Sequence, residues 1–452
     1  MSSRAASNFI ARRIVTSCFG GSLYQQGRGY YVALELFAIL RGHQIAGTPL
    51  LADGEAIRPF FRTSHDYARR IATDSGDLTN EDREKVDEAA IDSLRALFSS
   101  IAVEIPGRRK APEWFNLHLY PYVGELIHYD AVRSRGARRP QIERYTYRGG
   151  GVVAHEILRR DPDRARLERT RFGLASLVGD SGSALGRIAS ALHHHDAATE
   201  KDAFSGGVEA QVDLDGHQTD WIELLRAGVC NIVSRELAPT ARRIEHLMHW
   251  VPYCIARHQL DLASLLLDRP PMTFLVDFRD GSSAIRTLSR EGLEQARWTI
   301  VHALRAAAVG MQEEPDQEQQ RSTIKQLLSG GDSWTNGPRA FFTETLAAVG
   351  ALNSSTGRRH FTLQLPLLES VVHALLKPGE EMQLDGFMTD HMFQRLRLVI
   401  DERSASQARL AESIDLADFR DNGSHAARAL RALGLLSEFS DATQMVHAEV
   451  RQ

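Results

Sequence analysis

Apolar residues recur at helical intervals through most of the chain and at strand intervals only in short runs. The densest stretch runs from 220 to 267. Trp221, Leu224, Leu225, Val229 and Ile232 repeat every three or four residues on its first limb, and Ile244, Leu247, Met248 and Val251 on its second, either side of Ala238-Pro239-Thr240. That density exceeds one helical face, so the pattern predicts two long helices packed on several sides, the core of the largest domain. Upstream, helices are expected over 7–16, 30–41, 79–100 and 152–160; the third opens on Thr79-Asn80-Glu81-Asp82, a start signal with acids in the first turn. Downstream, 272–278 reads as a strand, Asp280-Gly281 as a turn and 291–308 as a helix.

The C-terminal region repeats one pattern. Residues 342–352 (FTETLAAVGAL) and 426–436 (AARALRALGLL) each form an amphipathic segment closed by a glycine and followed by an alternating, hairpin-like run. The first copy, Ala347-Ala-Val-Gly-Ala-Leu followed by Gly357-Arg-Arg-His-Phe-Thr-Leu363, resembles the recognition helix and wing of bacterial winged-helix modules. The resemblance implies a helix in the major groove and a wing on the backbone. It assigns nucleic-acid contact to Arg339 and Thr343 on the helix and to Arg358, Arg359 and His360 at the wing. Glu438 and Asp441 would repel phosphate in the second copy, which therefore reads as a packing or protein-binding module.

Together these patterns give a mainly α (α+β) fold class, a helical multi-domain protein with C-terminal winged-helix-like modules. The expected divisions are a mixed region 1–216, a helical-hairpin core 217–310, an acidic and Gln-rich linker 311–332 and a tandem winged-helix-like region 333–452.

Composition narrows the classes. The chain has 452 residues, 43% hydrophobic and 25% charged, which fits a globular protein with real cores. Its formal net charge of -4 means that any nucleic-acid contact must be a local patch. Only five of the 54 basic residues are lysine, so 49 are arginine, the better partner for phosphate, although a GC-rich genome produces the same bias. Three scattered cysteines argue for a reducing compartment, and neither a signal peptide nor a membrane span is legible; the expectation is a cytoplasmic protein without membrane partners.

Several motifs carry candidate chemistry. His246, His249, Cys254 and His258 are the nitrogen and sulfur donors that zinc prefers, but four residues along one helix reach one ion only if Pro252 bends it sharply; no other cofactor is expected. The glycine turn before 152 suits an anion at a helix N-terminus, yet its spacing fits neither the P-loop nor the dinucleotide fingerprint. Trp114, Phe115, Tyr120, Tyr122 and Tyr129 offer a stacking platform or a small core, and 133–139 makes a basic loop. His193-His-His-Asp196 and Asp180-Ser181-Gly182 are weaker metal and nucleophile patterns. Arg297/His302 and Arg420/His425 match the Arg-x4-His spacing of the HEPN ribonucleases, a spacing that this composition produces by chance.

The run 245–260 (EHLMHWVPYCIARHQL) is similar to uncharacterised proteins that accompany ATPases in phage-defence islands. The expectation is thus a non-catalytic subunit of a bacterial multi-protein system, acting in anti-phage defence beside an ATPase or nuclease and bound to double-stranded DNA or a partner protein. A metal- or His-dependent nuclease and a transcriptional regulator are the alternatives.

Overall fold

Helical spacing of apolar residues governs the architecture, which in the computed structural model is mainly helical with a small antiparallel sheet near the C-terminal end. The structure describes residues 3–23, 30–45, 47–52, 131–132, 141–142, 150–177, 214–279, 281, 283–312, 318–353, 358–410, 412, 414–440 and 442–448. The predicted helix 79–100, the aromatics at 114–129, the basic loop 133–139, Asp180-Ser181-Gly182 and the histidine run at 193–196 lie outside the described residues.

In chain order, α1 (Ser3–Phe19) and α2 (Tyr30–Ile45) precede the paired strands β1 (Ala131–Val132) and β2 (Gln141–Ile142). Next come α3 (Gly150–Arg159), α4 (Arg164–Leu177), α5 (Asp220–Val233), α6 (Thr240–Leu266), β3 (Phe274–Leu275), α7 (Ala284–Gln312) and α8 (Glu318–Ser329). The remainder is α9 (Asn336–Ala348), α10 (Leu365–Leu375), β4 (Glu381–Gln383), a π-helical α11 (Phe387–Arg395), β5 (Leu398–Val399), α12 (Glu402–Gln407), α13 (Leu416–Ala432), β6 (Leu436–Glu438) and β7 (Gln444–His447).

The hairpin expected over 220–267 is α5 and α6, and α6 is the hub. It packs against α1, α2, α3, α5, α7, α9 and α10, and is buried on nearly every side from Ile244 to Ser264. A helix with apolar residues on more than one face has to be enclosed in this way, and the buried polar residues it carries need partners inside. Its approach to α5 is close enough to require glycine: a Cβ on Gly228 would meet Trp250 Nε1 at 2.2 Å. Arg257 is fully buried between aromatic faces, with its guanidinium carbon 4.7 Å from the ring centroids of both Trp221 and Phe274. It also donates to the Tyr253 hydroxyl and the Leu396 carbonyl, both at 3.2 Å.

The expected strand at 272–278 shortens to β3, which runs parallel to β5. Asn422 on α13 locks this strand pair, accepting from the Phe278 amide at 2.8 Å and donating to the Val276 and Ile400 carbonyls at 2.8 and 2.7 Å. Asn422→Ala strands three backbone groups at once. At about 1 kcal/mol each, the expected loss is about 3 kcal/mol, read as a lower urea midpoint with an unchanged m-value.

Within the stretch 311–332, read as a linker, residues 318–329 form α8, which packs on α1 and α7. Ile324, fully buried, and Leu327 and Leu328 lie on one helical stripe, which gives this polar segment a face to dock.

Both C-terminal helices end as their glycines predict. Gly350 and Gly434 have φ of +85° and +72°, and the Ala351→Leu346 and Leu435→Leu430 backbone bonds, at 2.8 and 2.9 Å, close a Schellman motif at each. Beyond the two glycines the copies diverge. After α13 the hairpin β6–β7 forms, and β4 adds to the far edge of β7 to give the order β4-β7-β6. After α9, the alternating, hairpin-like run expected beyond the glycine reduces to one bridge, Leu352↔Phe361, and Leu365 already begins α10. The Phe361 amide donates instead to Ser289 Oγ at 2.9 Å, and its carbonyl accepts from the Asp277 amide at 3.0 Å.

Candidate nucleic-acid interface

Two charged helix faces meet in a cleft of about 840 Å³. From α7, Thr287, Arg290, Glu291, Glu294 and Arg297 fall three or four residues apart, so all project on one face. From α9, Asn336, Arg339, Ala340, Thr343 and Glu344 do the same, and Arg358 and Arg359 reach in from the segment after α9. The opposite face of α9 carries Phe341, Phe342 and Leu346, all buried, and the helix packs on α6 and α7. Burial of that apolar face fixes which residues turn toward the cleft.

Among the described residues, five arginines and three glutamates line the cleft, so these walls are net positive. Two arginines are neutralised locally: Arg297 by Glu294, and Arg359 by Glu344, whose Oε1 lies 3.1 Å from both terminal guanidinium nitrogens. Arg290, Arg339 and Arg358 have no carboxylate partner among the described residues, although Arg339 donates to Asn336 Oδ1 at 2.7 Å. The Nε atoms of Arg290 and Arg297 are buried without a hydrogen-bond partner among the described residues. Among the described residues no aromatic side chain lines the walls.

The structure therefore gathers four of the five residues assigned to nucleic-acid contact from the sequence. His360 is the exception. It is buried, its amide donates to Asn353 Oδ1 at 2.8 Å, and burial, with Arg286 and Arg290 nearby, lowers its pKa to about 4 against the opposing pull of Asp277. It is a packed residue beneath the arm rather than a contact. Thr343 is largely buried too, and its hydroxyl donates to the Arg339 carbonyl at 3.1 Å. Arg290 carries no local sign of nucleic-acid contact in the sequence, and Arg297 only the chance Arg-x4-His spacing with His302; their i, i+7 spacing with Glu294 between reads as an ordinary solvated face until α9 is laid against it.

The donor set His246, His249, Cys254 and His258 does not converge. All four lie on the unbroken helix α6, and twelve residues span about 18 Å of axis. His249 Nδ1 bonds the Val349 carbonyl at 2.9 Å and His258 Nδ1 the Thr219 hydroxyl at 2.7 Å, while burial raises the Cys254 thiol well above its ordinary value. Among the described residues, the one group of three possible metal donors is His246 with Glu369 and His373 from α10.

The glycine turn is already occupied. Gly151 opens α3, and its amide donates at 2.8 Å to Oε2 of Glu35, a buried carboxylate that fills the place an external anion would take. A Cβ on Gly151 would lie 2.5 Å from the Leu36 amide nitrogen, so the glycine serves the close approach of α2 and α3. In the Arg-x4-His pairs the arginines are held by acids: Arg420 binds Glu402 through two contacts at 2.9 and 3.0 Å and Arg297 pairs with Glu294, while His425 faces Asp421 at 3.8 Å.

All three cysteines are free and buried. Among the described residues no helix is long and apolar enough to cross a membrane. Comparison of the chain with protein-family models, curated proteins and solved structures finds no match.

Proposed function

We propose that this chain is a non-catalytic DNA-binding subunit of a bacterial multi-protein system, gripping the phosphate backbone of duplex DNA in the cleft between α7 and α9. The observation that carries this reading is the convergence of Arg290, Arg297, Arg339, Arg358 and Arg359 from three chain segments on one cleft of a protein whose net charge is -4. Three of these cations lack a carboxylate partner among the described residues. Arginine forks match phosphate geometry. The described lining is charged and polar, with arginine forks in place of stacking rings, so contact with the backbone, largely independent of sequence, is expected. That feature favours a structural subunit over a transcriptional regulator. The expected protein partner is an ATPase of the same system.

The test is duplex binding by fluorescence anisotropy across a salt series for the wild type and Arg358→Ala/Arg359→Ala. Each phosphate contact contributes about 0.9 to the log-log salt slope. The double variant is expected to bind more weakly with a slope reduced by about two. An unchanged slope would move the contact away from this arm.

A second reading concerns α13 and its sheet. The order β4-β7-β6 behind an amphipathic helix supports a winged-helix assignment for the second copy better than for the first, where α9 lies sandwiched against α6 and α7 and is not free to enter a groove. Along the exposed face of α13, Arg420, Arg428 and Arg431 stand opposite Asp385, Asp401 and Glu402. Such mixed charge suits a protein partner rather than DNA.

A further inference from the structure

The geometry points to a divalent-metal site, of zinc type, formed by His246 on α6 with Glu369 and His373 on α10. The two helices pack directly, and Glu369 and His373 stand four residues apart on one face of α10. One donor atom from each of the three residues lies within 4.8 Å of the other two. The imidazoles of His246 and His373 stack with centroids 4.2 Å apart and planes tilted by 20°.

Hydrogen bonding around the cluster leaves its lone pairs free. Ser370 Oγ donates to the Pro366 carbonyl at 2.6 Å, which commits its only proton. The 3.2 Å contact between Ser370 Oγ and His246 Nδ1 must then be donated by the imidazole. Nδ1 carries the proton, and Nε2 is the bare nitrogen, 4.0 Å from Glu369 Oε1. A hydroxyl that fixes the tautomer of a ligating histidine from behind is the usual outer support of a metal site. His373 Nδ1 is buried without a hydrogen-bond partner among the described residues. A cation would occupy the ring-nitrogen lone pairs of His246 and His373, with a Glu369 carboxylate oxygen as the third donor.

The chemistry selects the metal. Two neutral imidazoles and one carboxylate suit zinc, with a fourth position left for water. Tetrahedral zinc with bonds of 2.0–2.1 Å sets its donors roughly 3.3 Å apart, so loading draws the three side chains inward and turns one imidazole out of the stack to aim its in-plane lone pair at the ion. Arg242 is the competitor, 3.4 Å from Glu369, but Glu245 at 2.8 Å gives it an alternative partner. Partial exposure of Glu369 provides the entry path.

The test uses the full chain without a histidine tag, stripped with a chelator and titrated with zinc against a chromophoric competitor. One equivalent per chain is expected, with cobalt in its place giving the visible bands of a tetrahedral centre. Glu369→Gln and His373→Ala are each expected to weaken zinc at least about tenfold, while His249→Ala, on the same helix but bonded to Val349, stays within about twofold of the wild type. If His373→Ala does not fold, Glu369→Gln carries the test, because it keeps the size of a partly exposed side chain. Failure of the wild type to take up one equivalent, or uptake unaffected by Glu369→Gln, overturns the assignment. Neither result bears on the α7–α9 cleft, which is read by DNA binding.

Discussion

Between pH 7 and pH 4 the chain is expected to lose its fold cooperatively, with a midpoint near about pH 5. Three imidazoles outside the metal-type cluster are buried in their neutral form. His155 is lowered to about 3 by burial, with His43 stacked against it at 5.2 Å and Arg159 nearby. His258 is lowered to about 3 by burial and by His217, and His360 to about 4. Because the folded values lie below the ordinary 6.5, the unfolded chain binds more protons than the folded one at any pH below that value. The neutral-state stability is fully present above pH 6.5 and is lost as pH falls toward the folded values. Each group costs up to about 1.4 kcal/mol per pH unit below 6.5. At pH 5 three groups cost about 6 kcal/mol, comparable with the whole stability of an ordinary domain. Far-UV circular dichroism against pH reads the transition. His258→Gln keeps a polar partner for Thr219 and removes the titration, so its midpoint should move to lower pH. A wild type still folded and equally resistant to urea at pH 4 would refute the destabilising role of these buried imidazoles.

Reversing the cleft should abolish DNA binding. Arg290→Glu/Arg339→Glu/Arg358→Glu replaces the three arginines that lack carboxylate partners and leaves the Arg297–Glu294 and Arg359–Glu344 pairs in place. Three lost phosphate contacts, compounded by three new repulsions, predict at least about a 100-fold loss of affinity at moderate salt. The substituted side chains face the cleft rather than the core, so the change in unfolding free energy should stay near 1 kcal/mol. Affinity by anisotropy, paired with a urea melt of the same sample, separates the two effects. Retained affinity with a normal melt would remove the cleft as the interface.

The helical hairpin was legible because its apolar density admits no exposed face, and the two Schellman glycines because a left-handed residue after a helix has a local signature. Arg339, Arg358 and Arg359 could be proposed from the pattern around them. Their companions Arg290 and Arg297 could not, since nothing local says that the charged stripe of α7 will face α9. The same limit hid Glu369 and His373 from His246, more than a hundred residues away, and the Glu35 carboxylate from Gly151. Within 311–332 the local signal misled in the other direction: acidic and glutamine residues masked the stripe of Ile324, Leu327 and Leu328 that folds α8. The alternating, hairpin-like run expected beyond Gly350 failed because long-range partners, Ser289 and Asp277, take the hydrogen bonds of Phe361.

The most direct measurement is the affinity of the wild-type chain for a mixed-sequence DNA duplex between 50 and 300 mM salt. With three to five arginines on phosphates, the log-log slope should be about -3 to -4.5, with little dependence on sequence. No binding at low salt, or binding that ignores salt, would contradict a phosphate-gripping cleft.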